Sequence, residues 1–455
     1  MHPLNRREFL KGSTALMSLA GFGLLGMDFK DREGPLQVAL IGSGWYGKSD
    51  LFRLIQVADV EVVALCDVDS KQLEEAGKLV ASRQKSGKVP VLYEDYKELL
   101  AKEKPEYVLI GSPDHWHALM AIDAVKSGAH VYLQKPISVD VIEGEAILAA
   151  ARKYDRKVQI GTQRRSTPHL VQAKKEIIDS GKLGKISHAE VCCYYHMRNK
   201  SNPEVMPVPE NLNYDLWAGP APMLPYRGIL HRGWRAFMEY GNGIVGDMCV
   251  HMLDAVRWML DLGWPIQVTS TGGIYVDKES IANISDTQTA LFEFDELNVV
   301  WQHRTWGNPV DKDYPWAFKI YGENGMLAGS PMRADFYPEG KNNGEPIHYP
   351  VLLEKEQYPE DVTEKDIEIH AAPATREQLK DWLQAIKKDT LPVADVLEGH
   401  ISTASCILAN MSMELGGRPL KYDPKTMTVT GDEEATALLR RPYRDGYKHP
   451  EPDQI

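Results

Sequence analysis

Short apolar runs separated by amphipathic stretches fill the first third of the chain. Val38, Ala39, Leu40 and Ile41 form one such run, bounded by turn residues, as a strand buried on both faces of a parallel sheet is. "VEVVALC", Tyr107 to Ile110, His130 to Leu133 and "KVQI" repeat the pattern. Between them the spacing predicts helices from Leu51, over Ala118 to Ser127 and over Val141 to Tyr154. Strand and helix alternating in this way predict α/β structure with a doubly wound parallel sheet. The period then changes. "ISHAEVCCYYH", "IQVTSTGGIYV", "DTQTALFEFDE", "LNVVWQHRTW" and "WAFKIYGENGMLAGS" alternate apolar with polar, which predicts mainly antiparallel strands with one covered face. "FDELN" is a hairpin-turn candidate, and residues 374–416 return to helical spacing through Leu379, Trp382, Leu383 and Ile386. The organisation expected is a leader over 1–33, a parallel-sheet domain over 34–160, an α+β domain over 161–420 and a tail over 421–455. The tail is rich in proline and charge and is expected to wrap the surface or meet another subunit.

The first strand runs into Gly42, Gly44 and Gly47 in G-x-G-x-x-G spacing. The first glycine allows a tight turn, the second lets backbone approach a pyrophosphate, and the third lets helix pack on strand. Asp67 ends the second strand, where a carboxylate accepts hydrogen bonds from an adenosine ribose. Strand, glycines, helix, strand and acid together predict a dinucleotide-binding Rossmann domain. Asp67 would repel a 2′-phosphate, so NAD is expected rather than NADP. Loops after parallel strands line the cofactor crevice. Asp114, His115, His117, Gln134, Lys135 and Gln163 therefore converge on one edge, joined by Trp45, Tyr46 and Ser112 as candidate cofactor contacts. His115 and His117 form H-x-H with no third ligand at convincing spacing, so no metal is expected.

Composition narrows the partners. The chain has 455 residues, 43% of them hydrophobic and 25% charged, enough for two domains with real cores. A formal net charge of -12 argues against nucleic acid or an anionic membrane surface. Cys66, Cys192, Cys193, Cys249 and Cys406 are odd in number and form no C-x-x-C, so buried thiols are expected rather than a disulfide framework.

In "GNGIVGDMCVHMLDAVRWML", Asp247 and His251 stand four apart and would share one helix face. A histidine beside a carboxylate at a glycine-rich helix start can move a proton near neutral pH. Arg164 and Arg165 of "GTQRRS", Tyr195 and His196 at a strand end, and Trp234 are candidate substrate contacts. Aromatic faces stack well on sugar rings.

The G-x-G-x-x-G loop, Asp67, "PDHWH", the "KP" turn, "GTQRR" and "GDMCVH" together resemble the Gfo/Idh/MocA dehydrogenases over roughly residues 36–420. The family usually has Glu-Lys-Pro where this chain has Gln134-Lys135-Pro136, which removes a charge beside the lysine. The resemblance implies a large open sheet in the second half, homo-oligomers formed through it, and Lys135, Asp247 and His251 around a reacting sugar hydroxyl, all three touching the substrate. Either Lys135 or His251 would be the base. Three functions compete: a sugar or glycoside dehydrogenase, a redox-neutral NAD-using glycosidase or lyase, and a sugar-binding protein on a dehydrogenase scaffold.

"NRREFLKGS" and the apolar stretch Thr14 to Met27 resemble a twin-arginine export signal. The stretch is shorter than the ~20 residues of a membrane span. It has no A-x-A cleavage site, so the leader is either removed or kept as an anchor. The resemblance implies export of a folded protein to the periplasm with a tightly held dinucleotide.

Overall fold

A computed structural model describes residues 34–194, 198, 202–228, 233–340, 344–365 and 367–455. The leader, Tyr195 and His196 lie outside the described residues. The first half builds a six-stranded sheet from β1 (Leu36–Ile41), β2 (Val60–Cys66), β3 (Val91–Tyr93), β4 (Tyr107–Ile110), β5 (His130–Leu133) and β6 (Val158–Ile160). Every pairing is parallel and the order is β3-β2-β1-β4-β5-β6, the doubly wound topology expected. Burial explains the uniform apolar runs: all four side chains of Tyr107–Ile110 are buried. Helix α1 (Trp45–Val57) starts well before Leu51, so Gly47 sits inside its first turn rather than ahead of it.

The second half is an eight-stranded sheet. Its strands are β7 (Ile186–Cys193), β8 (Gln267–Gly273), β9 (Thr287–Phe294), β10 (Leu297–Arg304), β11 (Trp316–Gly322), β12 (Gly325–Gly329), β13 (Arg333–Pro338) and β14 (Ile347–Pro350). The order is β14-β13-β12-β11-β7-β10-β9-β8, antiparallel except for the β7–β10 pair. Glu296, with φ +56, turns the β9–β10 hairpin at "FDELN". Alternation places Val299, Trp301, Phe292, Phe318 and Ile320 in a core under helix α2 (Val250–Leu260).

The stretch 374–416 is two helices, α3 (Ala372–Lys388) and α4 (Val396–Glu414), separated by a break after Asp389. They return to the first sheet. Ile160 donates its amide to the Ala394 carbonyl at 2.9 Å, and a Cβ at Gly399 would lie 2.4 Å from Ile160. The last thirty-odd residues bind the first half: Arg441 N donates to Asp140 Oδ2 at 2.9 Å, as does His449 Nε2. Among the described residues no helix is long and apolar enough to cross a membrane.

Candidate active site

After β1 the chain turns at Gly42 with φ +86. A Cβ there would lie 2.5 Å from the Ser112 amide nitrogen, and one at Gly47 would lie 2.1 Å from the Gly42 carbonyl oxygen. Both positions require glycine so that turn, helix and strand end can meet. Gly44 differs. Its Cβ would approach only Gln72 Nε2, at 3.9 Å, and it borders a crevice of about 1200 Å³. Gly44 also precedes α1, whose start has no side-chain cap and no acidic residue in its first turn. Those amides and the positive end of the helix dipole suit a pyrophosphate.

Asp67 borders the same crevice. It accepts from Ser43 N at 2.9 Å, Gln72 Nε2 at 2.8 Å and Asp69 N at 3.0 Å, which fix its orientation while burial raises its carboxyl. Trp45, Tyr46 and Ser112 line the crevice as well. Ser112 Oγ and Gln163 Oε1 are buried without a partner in the protein, while Gln163 Nε2 donates to Tyr46 Oη at 2.7 Å. The open face at Gly44, the uncapped helix and the fixed acid fit NAD.

Beyond Trp234 and Arg235, which line the crevice, lies the ionised cluster. Lys135 Nζ donates to Asp247 Oδ1 at 2.5 Å and to the Asp247 carbonyl at 2.9 Å. Arg235 Nε lies 3.5 Å from Asp247 Oδ2. Burial alone would raise Asp247, but Lys135 and Arg235 outweigh it and hold the carboxyl below its ordinary value. Asp114 sits against the same charges, and burial pushes it up to about 8. His251 is buried, its Nδ1 has no partner in the protein, and its ring meets Trp316 edge-on at 5.4 Å. Burial, then the charges of Lys135 and Arg164, hold its pKa well below the usual histidine value. The guanidinium of Arg164 lies over Trp316 at 5.3 Å. Asp247 belongs to a wide turn, Val245–Cys249, with i to i+5 bonding that leads into α2.

Several expectations need correction. Asp247 does not pair with His251, because Lys135 and Arg235 occupy its carboxylate. Arg165 is not turned toward a ligand. It makes two 2.8 Å bonds to buried Asp254, and Glu398 lies 3.2 Å away. His115 and His117 are structural within this chain. His115 Nε2 lies 2.9 Å from the Trp217 carbonyl, and His117 meets the Pro136 and Ser112 carbonyls at 2.7 and 2.9 Å. Burial is the largest cause lowering both rings to about 4. Gln134 donates to Asp50 Oδ2 at 2.6 Å and does not border the crevice. The carboxylate absent at position 134 is thus present opposite it, at a buried Asp50 raised to about 7.

Some wall residues carry little signal in the sequence. Trp116 within "PDHWH" and Tyr447 far along the tail line the crevice, as does Arg235 beside Trp234. Trp217, which reads equally well as plain packing, lines it too and shares with Trp234 a neighbouring aromatic hollow of about 720 Å³.

Two family models match this chain. One, described as an oxidoreductase family with an NAD-binding Rossmann fold, covers residues 36–162. The other, the C-terminal alpha/beta domain of an oxidoreductase family, covers 169–281 and 355–449. Inositol 2-dehydrogenase of Salmonella paratyphi B is 34% identical over 152 residues, 33% of this chain and 43% of that protein. Alpha-N-acetylgalactosaminidase of Shewanella oneidensis is 26% identical over 228 residues, 44% of this chain and 48% of that protein. Both matches span under half of the relative's length. An oxidoreductase from Agrobacterium radiobacter, solved with NAD+, L-tartaric acid and magnesium, shares the fold. Its TM-score is 0.64 at 16% identity, covering 85% of this chain and 98% of that one.

Proposed function

From the premise that this chain belongs to the Gfo/Idh/MocA oxidoreductase family and carries its NAD-binding Rossmann domain, we propose that it oxidises a hydroxyl of a sugar or glycoside to a ketone. The observation that carries this reading is the pairing of Lys135 with Asp247 next to a buried His251 whose Nδ1 has no partner in the protein. NAD, when bound, accepts the hydride from the carbon that bears the hydroxyl. An ammonium has three N–H donors, and Asp247 takes two from Lys135. The third is free to meet the substrate oxygen and stabilise it as negative charge develops. His251, kept neutral by burial, accepts the hydroxyl proton. Asp247 holds Lys135 in place and offsets its charge. Arg164 and Trp234 would contact the sugar, with the aromatic hollow beside Trp234 suited to a second ring.

A second reading is supported by the galactosaminidase similarity. There the same oxidation acidifies the neighbouring C–H, a proton and the leaving group are eliminated, water adds to the resulting enone, and the hydride then returns to the ketone. NAD-loaded protein mixed with aldoses and glycosides distinguishes the two. Accumulating keto-sugar with reduced nicotinamide supports the dehydrogenase, and released aglycone with no net reduction supports the glycosidase. Lys135→Ala should cut either rate by about 10²-fold or more. Unchanged turnover would remove Lys135 from the chemistry.

The leader "NRREFLKGS" supports export of the folded protein to the periplasm, checked by fractionating cells with and without Arg6 and Arg7 replaced by Lys. The open sheet supports a homo-oligomer, which light scattering reads directly.

A further inference from the structure

Helix α1, whose N-terminus suits the pyrophosphate, also grips two loops with its flank. Tyr46 and Asp50 stand four apart on it and share one face. Gln134 Nε2 donates to Asp50 Oδ2 at 2.6 Å, and Gln163 Nε2 donates to Tyr46 Oη at 2.7 Å. Gln134 follows β5 and Gln163 follows β6, so both loops leave the same edge of the sheet. Each glutamine immediately precedes a cation of the site, Lys135 in one loop and Arg164 in the other. The helix that faces the pyrophosphate is thus bonded, one residue away, to both groups expected at the substrate.

Each contact is fixed from more than one side. Asp50 and Gln134 are buried, and a Cβ at Gly161 would lie 2.5 Å from Gln134 Nε2, so the amide has little room to turn elsewhere. Gln134 N donates to the Ile110 carbonyl at 3.0 Å. Beyond Lys135, the Pro136 carbonyl meets His117 Nδ1 at 2.7 Å. Lys135 is therefore held at both of its neighbours, and its ammonium is held by Asp247 at 2.5 Å. The helix is itself anchored. Buried Arg53 pairs with Glu364 at 2.5 Å and Asp361 at 3.2 Å, and Gln56 Oε1 accepts from Arg376 Nη1 at 2.9 Å. A second ionised carboxyl at position 134 would face Asp50 with no donor between them, so an amide opposite an acid makes a matched pair.

We propose that Asp50 and Tyr46 are positioning residues which, through Gln134 and Gln163, hold Lys135 and Arg164 in register with the dinucleotide. This rests on the reading of Lys135 as the donor to the substrate oxygen. Hydride transfer needs the reacting carbon over the nicotinamide and its oxygen at Lys135 at the same moment. A misplacement of about 1 Å costs on the order of 10²-fold in rate. Phosphates bound at the start of α1 fix where the nicotinamide can reach. With both cations tied to that same helix, one rigid element sets both positions. Neither Asp50 nor Gln134 borders the crevice, so they act through their neighbours and not by touching a ligand.

The test uses the full-length protein. Acetic anhydride labels lysine amines, and peptide mass spectrometry reads the rate at Lys135. Lys157 is the internal reference. It lies ahead of β6, away from the site, and its side chain is 11% exposed against 10% for Lys135. Its ammonium pairs with Asp389 at 2.7 Å and Asp155 at 3.5 Å. In Asp50→Leu, labelling of Lys135 should quicken by about ten-fold, as loss of one buried hydrogen bond implies, with Lys157 unchanged. The paired exchange of Asp50→Asn with Gln134→Glu keeps an amide facing an acid and should return Lys135 to the wild-type rate. With NAD added, kcat for the sugar that wild type oxidises should fall by about ten-fold or more in Asp50→Leu and recover in the paired exchange. Should melting curves show Asp50→Leu unfolded, Tyr46→Phe removes one hydroxyl, and phenylglyoxal should then modify Arg164 faster than in wild type. Unaltered labelling of the cation in the folded variant, equal acceleration at Lys157, or no recovery in the paired exchange overturns the proposal. Turnover undiminished by Lys135→Ala sinks the oxidation reading instead, and leaves the labelling result standing.

Discussion

His251 and Arg165 illustrate how burial sorts residues that look alike in a sequence. His251 is buried with one ring nitrogen unpartnered, next to two cations. A base must be neutral to act, so activity falls as pH drops through the folded-state pKa. Because that pKa is held well below the usual 6.5, the acid limb of kcat/KM should lie well below pH 6.5. His251→Gln should remove that limb and lower kcat by about 10²-fold or more. A limb at 6.5 or above would assign the base elsewhere. Arg165 has the opposite character. Its charge is already answered by Asp254 and Glu398, with Ser402 bonding Asp254 as well. Arg165→Ala leaves buried Asp254 with only Arg257, 3.9 Å away, to answer its charge and should destabilise the fold by roughly 3 kcal/mol. Chemical denaturation reads that loss. Nothing in "GTQRRS" distinguishes the two arginines, because the partners of Arg165 lie on helices remote in sequence. Asp114 and Gln134 were equally opaque: one depends on charges from Arg235 and Asp247, the other on Asp50.

At the scale of elements, the glycine loop was the most legible part of the chain. Its information is local: three glycines, an apolar run before and an acid after. Spacing assigns Gly44 to a pyrophosphate and Gly47 to helix packing, and their surroundings differ in the same sense. Gly44→Ala places its methyl toward the crevice, with nothing nearer than 3.9 Å, at an ordinary φ of -64. That variant should melt like wild type and lose NAD affinity in calorimetry. Gly47→Ala drives a methyl against the Gly42 carbonyl and should lower the melting temperature. The sheet alternation was legible for the same local reason. The wide turn Val245–Cys249 was not, since residue spacing does not announce an extra residue in a helical turn. It carries Asp247, whose carboxylate meets Lys135.

For the whole molecule, buried titratable groups set the pH of greatest stability. His115, His117, His130, His169, His303 and His370 are each lowered to about 4, burial being the largest cause. As pH falls from 6.5, the unfolded chain takes up protons first, so stability is lost toward pH 4. Asp50 and Glu143 are raised to about 7 and Asp114 to about 8, again chiefly by burial. Their contribution has the other sign: it is present at low pH and is lost as pH rises through 7 to 8. The histidines outnumber the acids below pH 6.5, and only the acids change above it. Melting of cofactor-free protein should therefore peak at about pH 6.5. A melting temperature that climbs steadily to pH 9 would contradict these assignments.

Tyr447 bears on synthesis as well as on the crevice. The glycine loop and Asp67 are made long before it. A nascent Rossmann sheet also lacks its covering helices, Ala372–Lys388 and Val396–Glu414, until late in translation. Among the residues that line the crevice, Tyr447 is therefore the last to be made, and the wall it supplies is closed only after the rest of the site has been synthesised.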